Sequence, residues 1–179
     1  RPRKLSEELA MILREFEVGE LWIAPQSSCE ARGRELAAAA VERGVAVVLA
    51  ARGFRAVRAG LPIEVLHPPR ESPASAPNER CLVLRVGPKA ARVLIPADLE
   101  SPEEEALLAS GADPSAEALV VGHHGGSRST RPAFVAAVRP RVAVVSVGLG
   151  NRFGHPDPGI VARLRKGGIP LYRTDLDGA

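Results

Sequence analysis

Apolar residues recur along the chain at two alternating spacings, one typical of helices and one typical of strands. The first fifty residues alternate between these spacings. They predict a helix over Leu5–Phe16, a strand over Glu20–Ala24, an alanine-rich helix over Ala31–Arg43 and a buried strand over Val45–Ala50. Gly44 directly after the second helix is a favourable C-terminal capping residue. This part of the chain therefore predicts a helix followed by a strand–helix–strand unit.

The middle of the chain changes to short apolar runs that lie between close turn signals. The predicted strands are Phe54–Arg58, Pro62–Leu66, Cys81–Val86 and Ala91–Ile95. Such closely spaced strands indicate an antiparallel meander. The run Pro68–Pro77 is rich in Pro, Ser and Ala, and it predicts an exposed loop between the second and third of these strands.

The last third returns to alternating helices and strands. The predicted helices are Pro102–Ser110, with Ser101 as its N-cap, Pro132–Val138, and Asp157–Lys166, with Asp157 as a candidate N-cap. The predicted strands are Leu119–Gly122, Val142–Val147 and Ile169–Tyr172. A meander joined to alternating units predicts an α/β fold, with helices packed on one or both faces of sheets.

Length and composition restrict the class of protein more than its function. A chain of 179 residues, 45% hydrophobic and 25% charged, is expected to form one soluble globular domain. The longest apolar run, Val45–Ala51, is far shorter than the roughly 18 residues of a membrane span. Cys29 and Cys81 lie far apart in no metal-binding spacing, and a disulfide between them stays open.

The basic residues are mostly arginine. Only three of the 24 basic residues are lysines, and the net charge is +3. Arginine forks bind phosphate in bidentate fashion, which suits a nucleic-acid partner. Arginine-rich codon usage explains the same composition equally well, so the charge alone does not decide between them.

The segment His123-His124-Gly125-Gly126 is the main candidate for chemistry, because it follows a predicted buried strand. Histidine is the commonest metal ligand, and glycines let the backbone turn tightly or approach a ligand closely. On an extended chain the two imidazoles would face opposite ways, one as a metal ligand and one as its support or as a substrate contact. The alternative is a surface turn with two solvated histidines.

Two further segments lie where strands are predicted to end. His155 stands between Gly154 and Pro156 after an apolar strand, where loops of α/β folds carry functional residues. Asp98 follows the strand that ends at Ile95, and a carboxylate there could bind a metal or simply form a turn. His67 has no such neighbours and is expected to be structural or solvated.

Together these segments resemble the C-terminal metallo-β-lactamase-like domain of the ComEC family of DNA-uptake proteins. The resemblance covers most of the chain and rests on several short matches. The matching segments are Asn78 with Cys81–Arg85, Asp98–Glu100, Leu107–Asp113, His123–Gly126, Ser146–Gly148, Asn151–Pro156 and Tyr172–Ala179. It implies a metallo-β-lactamase-like αβ/βα sandwich over residues 1–179 and a metal-dependent nuclease that degrades the DNA strand that is not imported.

The resemblance also implies site residues and partners. The implied metal ligands are Asp98 and His123, the catalytic residues His124, Ser129 and His155, and the substrate-binding residues Asn78, Arg128, Asn151 and Arg152. The cofactor would be Mn²⁺ or Zn²⁺ in a dinuclear site, where the metals activate water and stabilise both attacking and leaving oxygens. The implied partners are single-stranded DNA and the transmembrane channel and other domains of the same polypeptide. The domain would lie on the extracytoplasmic side of the membrane.

One expected feature is absent from the sequence. The family carries a His-x-x-x-Asp-His type motif just before the helix that contains Leu9, but residues 1–8 contain neither histidine nor aspartate. We therefore expect a domain that is partial at its N-terminus and lacks part of its first sheet, or else a degenerate metal site. In the second case the domain would bind DNA or support the channel without catalysis.

Overall fold

The computed structural model describes residues 5–28, 30–71 and 80–178, and of residues 5–8 only the backbone. It contains six α-helices and nine strands within these ranges. The helices are α1 (Leu5–Glu15), α2 (Pro25–Ser28), α3 (Ala31–Glu42), α4 (Ser101–Ala109), α5 (Pro132–Val138) and α6 (Pro158–Lys166). The strands are β1 (Glu20–Ile23), β2 (Ala46–Leu49), β3 (Arg55–Arg58), β4 (Leu61–His67), β5 (Val83–Val86), β6 (Val93–Ile95), β7 (Ala118–Val120), β8 (Val142–Val145) and β9 (Leu171–Arg173).

The N-terminal strands form a small parallel sheet of their own. β1 pairs with β2 in parallel, with α3 as the connection between them. Leu13 of α1 and Ala40 of α3 pack together with Val45 in a separate small core. Arg58 of β3 binds both carboxylate oxygens of Glu20, at 2.7 and 2.9 Å, which ties this unit to the larger sheet.

The other seven strands form one sheet in simple sequence order. The strands from β3 to β6 are antiparallel, and those from β6 to β9 are parallel. The parallel half arises because α4, α5 and α6 each separate two consecutive strands, as a parallel connection requires. The carboxyl ends of these four parallel strands consequently meet at one edge of the sheet.

The main core lies between the parallel half of this sheet and the helices that connect its strands. Leu94, Leu119 and Ala143 occupy paired positions on β6, β7 and β8 and are completely buried. Leu107 of α4 and Phe134 of α5 pack in the same cluster as Leu94 and Leu119, while Leu164 of α6 packs near Ala143 and Val145. These side chains anchor the strands whose ends carry the candidate site.

The predicted elements are confirmed, with differences at their ends. The chain is α/β with a central meander, as predicted, whereas the narrower assignment to a metallo-β-lactamase-like sandwich with part of its first sheet missing stays a prediction. Asp157 caps α6 by accepting a hydrogen bond from Gly159 N at 2.8 Å. The prediction of Ser101 as the N-cap of α4 is wrong: Glu100 occupies that position, and the Ser101 hydroxyl donates to the carbonyl of Arg128 instead.

Cys81 is a core residue, as its apolar neighbours predict. Burial, reinforced by the nearby Asp98 and Glu103 carboxylates, raises the pKa of the thiol to about 12. A thiol with so high a pKa stays protonated near neutral pH and is a poor nucleophile or metal ligand. Cys29 lies outside the described residues.

Across the three described ranges, no helix combines the length and the apolar character needed to cross a bilayer. His67 was expected to be structural or solvated, and its burial favours the structural alternative.

Candidate functional site

The candidate site is built from the segments that follow β6, β7 and β8 at the carboxyl edge of the sheet. Asp98 follows β6, His123 and His124 follow β7, and the Asn151–His155 loop lies beyond β8. The backbone of His123 donates to the carbonyl of Ala97 at 2.8 Å, which joins the first two segments. The structure therefore brings together three segments that are distant in sequence.

The backbone of the two histidines is turned back rather than extended. Gly122–Gly125 forms a tight turn in which His123 and His124 have φ angles of 48° and 52°. L-residues rarely adopt this left-handed conformation, and each costs of order 1 kcal/mol or more. The prediction of an extended pair with imidazoles on opposite faces is therefore wrong in its geometry. Both rings nonetheless reach carboxylates of the β6 segment.

His124 lies between a backbone carbonyl and Asp98. Its Nδ1 atom is 2.8 Å from the carbonyl oxygen of Ser146 at the end of β8. Its Nε2 atom is 3.8 Å from Oδ1 of Asp98, and about half of each side chain is exposed. A proton on Nδ1 would donate to the carbonyl and leave the Nε2 lone pair directed toward solvent and Asp98.

His123 is held by Glu100, a carboxylate that is almost completely buried. Its Nδ1 atom is 2.9 Å from Oε1 of Glu100. Arg128 also binds Glu100, through contacts of 2.9 and 2.7 Å to its two oxygens. The Arg128 side chain is 75% exposed. Glu100 therefore orients a histidine on one side and holds an accessible cation on the other.

The loop after β8 brings a third imidazole to this cluster. Asn151 holds the loop closed, because its side-chain amide donates to the His155 carbonyl and its side-chain oxygen accepts from the His155 N–H. The rings of His155 and His123 meet edge to face, with centroids 6.1 Å apart. Phe153 stacks against His155, and Arg152 lies beside Phe153.

Ser129 is fully buried beneath the histidine turn. Its hydroxyl lies 2.7 Å from the carbonyl of Gly122 and 2.9 Å from that of Gly126, one on each side of the two histidines. Both acceptors belong to the turn itself, so the hydroxyl braces the turn and is not exposed to a substrate. The predicted catalytic role of Ser129 has no support in this geometry.

We expect the Ser129→Ala substitution to lower the free energy of unfolding by about 1–2 kcal/mol, because it removes the buried hydroxyl that bonds to the Gly122 carbonyl, whereas the Gly126 carbonyl keeps its bond from the Ser129 N–H. Urea denaturation measures the change. Ser127→Ala in the same turn is the matched control, since Ser127 is exposed, and its effect should stay within about 0.5 kcal/mol. Equal stabilities of the two variants would contradict this bracing role.

The donor set meets the needs of a metal ion only in part. Two ligands of one tetrahedral Zn²⁺ lie about 3.3 Å apart, so the 3.8 Å between His124 and Asp98 needs only a small adjustment. Within the described residues, however, no three His, Cys, Asp or Glu side chains form a group able to hold a metal. The carboxylate in contact with His123 is Glu100, whereas Asp98 pairs with His124. The chemistry of this pair fits a metal, and a complete site requires further ligands.

Sequence reasoning missed three residues that shape the site. Glu100 directs His123, Phe153 packs on His155, and buried Glu104 accepts from the backbone N–H groups of Thr130 and Arg131. Glu100 lies only two residues after Asp98, so its position next to a candidate ligand was the available signal. Asn78, predicted to contact substrate, lies outside the described residues.

Comparison with known proteins relates the chain to proteins of natural competence. No protein-family model matches the chain. It is 38% identical over 121 residues, 67% of its length, to Competence protein ComA of Neisseria gonorrhoeae, and this match covers 17% of that protein. It is 31% identical over 171 residues, 96% of its length, to ComE operon protein 3 of Bacillus subtilis, covering 22% of that protein.

A third relative extends the match to another organism. Recombination protein 2 of Haemophilus influenzae is 29% identical over 119 residues, which cover 66% of the chain and 15% of that protein. The chain thus spans about a fifth of the length of the curated relatives it matches. The relatives are competence proteins of a single family. The chain belongs, as a segment of that length, to the ComEC family of competence proteins.

Proposed function

We propose that this chain is the metal-dependent phosphodiesterase domain of a DNA-uptake protein and that it cleaves single-stranded DNA with Mn²⁺ or Zn²⁺. One of the relatives is named as a competence protein, the second for the ComE operon and the third for recombination. Cleavage at a membrane channel would act on the strand that is not imported, and the partners would be that channel and the other domains of the same polypeptide.

The orientation of the two imidazoles carries the proposal. Each is fixed through Nδ1, His123 by the Glu100 carboxylate and His124 by the Ser146 carbonyl. Histidines that bind metals usually donate their second ring N–H to a carboxylate or a backbone carbonyl, which fixes the tautomer and directs Nε2 at the metal. A surface turn with two solvated histidines would need neither contact.

The residues divide into ligand and substrate roles. Asp98 and His124 would hold the metal, and further ligands would be needed to complete its coordination. The metal, when bound, would polarise a phosphodiester and lower the pKa of a water molecule.

Exposed Arg128 and Arg152 are placed to bind phosphate oxygens, and the Glu100 contact limits the positions that Arg128 can adopt. His155, edge-on to His123, could transfer a proton at the leaving oxygen.

A second candidate function is DNA binding without catalysis, on the same surface. The observation that favours it is the lack, in residues 5–28, 30–71 and 80–178, of a three-residue group that could bind a metal. Here the arginines would hold the phosphate backbone while the histidines act as hydrogen-bonding groups. In that case the domain would support the membrane channel structurally, without cleaving DNA.

Metal uptake and cleavage of single-stranded DNA together separate these functions. We expect the chain to bind Mn²⁺ or Zn²⁺ in titration calorimetry, and the variants Asp98→Asn and His124→Ala to bind it at least tenfold more weakly, because each removes a ligand. The matched control is Asp113→Asn. Asp113 is exposed and interacts with Arg85 and Ser115 outside the site, so its replacement should leave metal binding unchanged.

The outcomes of this experiment are distinct. Metal binding with metal-dependent cleavage, both reduced in the two site variants, supports the phosphodiesterase. DNA binding that no metal alters, with no cleavage, supports the non-catalytic domain and rejects the enzyme. Metal binding that is equal in Asp98→Asn and in Asp113→Asn would show that the metal binds elsewhere and would contradict the proposed ligands.

A further inference from the structure

An exposed phenylalanine, Phe153, lies at the rim of the site, although large apolar side chains are usually buried. The Phe153 side chain is 69% exposed, and Leu149 in the same loop is 85% exposed. The loop is not loosely attached, because Asn151 makes two hydrogen bonds across it to the backbone of His155. The aromatic ring is therefore held in solvent by a braced loop, and it contributes little to the hydrophobic core.

The surroundings of Phe153 combine aromatic and cationic groups. His155 stacks on it with an interplanar angle of 22° and a centroid distance of 5.9 Å. The guanidinium carbon of Arg152 is 5.2 Å from the ring centroid. Exposed Arg128 and Arg131 lie on the segment that joins the neighbouring histidine turn to α5. An exposed ring flanked by cations suits a ligand that has a flat face and a negative charge.

We propose that Phe153 is a stacking platform for an unpaired nucleobase and that it positions the adjoining phosphate at the histidine cluster. His155 contacts Phe153 on one side and His123 on the other, so a base on Phe153 lies next to the cluster. Arginine and aromatic side chains together form the usual surface for single-stranded nucleic acid. A protein partner would meet the same ring but would not require the adjacent cations.

This inference rests on the proposed DNA-directed function and makes it more specific. Bases inside a duplex already stack on each other, so a stacking platform selects strands whose bases are free. The discrimination would come from Phe153, while the arginines bind the backbone of either form. The phenylalanine is then a specificity-determining residue, separate from the metal ligands.

The test is binding of fluorescent oligonucleotides, measured by anisotropy at one fixed salt concentration. The probes are a single-stranded oligothymidylate, an abasic strand of equal length and charge, and a duplex. Phe153→Ala should weaken binding of the oligothymidylate by about fivefold to a hundredfold, because one stacked base is lost. It should leave the abasic strand unchanged. Phe153→Leu should behave like Phe153→Ala, and Phe153→Trp should retain affinity.

Phe16→Ala is the matched control, since Phe16 is 66% exposed but follows α1 in the N-terminal unit. It should bind every probe like the unmodified chain. Equal binding of oligothymidylate by the unmodified chain and Phe153→Ala would overturn the platform while leaving DNA binding intact. Full affinity in Phe153→Leu would replace base stacking by apolar contact and would also overturn it. An unmodified chain that binds no probe would reject the DNA-directed function itself.

Discussion

Replacing Glu104 with alanine is expected to lower the free energy of unfolding by about 2–4 kcal/mol, although Glu104 contacts no candidate ligand. Its side chain is 1% exposed, and it accepts hydrogen bonds from the backbone N–H groups of Thr130 and Arg131, where α5 begins. Burial raises the pKa of Glu104, while these two donors favour its ionised form. Alanine would leave both donors without an acceptor next to the histidine turn. Urea denaturation at pH 7 measures the loss.

The next residue along α4 provides the control for this variant. Glu105 is exposed, so Glu105→Ala removes the same charge from the same helix and should change stability by no more than about 0.5 kcal/mol. Glu104→Gln keeps one acceptor oxygen and should fall between the two alanine variants. If Glu104→Ala were as stable as Glu105→Ala, the junction between the turn and α5 would not depend on this carboxylate.

The elements of the fold could be predicted from the sequence because their signals are local. The period of apolar residues, together with glycine and proline at the ends, places each helix and strand within a few residues. The prediction of the N-cap of α4 was wrong for a reason that is not local. The hydroxyl of Ser101 binds the carbonyl of Arg128, 27 residues further along the chain, so a tertiary contact replaced the capping bond.

The sequence identified most residues of the candidate site, but it did not predict the contacts between them. Asp98, His123, His124 and His155 were identified because they follow strands, and parallel strands bring their carboxyl ends together. Which carboxylate would meet which imidazole depends on the left-handed turn at residues 123 and 124, and no periodicity encodes that turn. The role of Glu100 and the exposure of Phe153 also follow from tertiary packing, so only the structure could show them.

The Gly125→Ala substitution is expected to cost about 2–4 kcal/mol and to separate the two loops of the site. Gly125 has a φ angle of +80°, and an added Cβ atom would lie 2.5 Å from Cβ and 2.9 Å from Cα of Pro156. The proline ring cannot rotate away, and the conformation is itself strained for alanine. Urea denaturation measures the cost, and the same samples show whether affinity for single-stranded DNA falls with it.

Gly148→Ala distinguishes this close approach from a general effect of adding a methyl group near the site. Gly148 follows β8, and nothing lies within 4 Å of the Cβ that alanine would add there. Its φ angle lies outside the left-handed range, so alanine should be tolerated or slightly stabilising, by up to about 1 kcal/mol. The Gly125 carbonyl accepts a hydrogen bond from Asp157 N at 2.8 Å, so a backbone hydrogen bond joins the two loops beside the close approach of Gly125 to Pro156. If Gly125→Ala kept both its stability and its DNA affinity, the spacing of His123 and His155 could not depend on this contact.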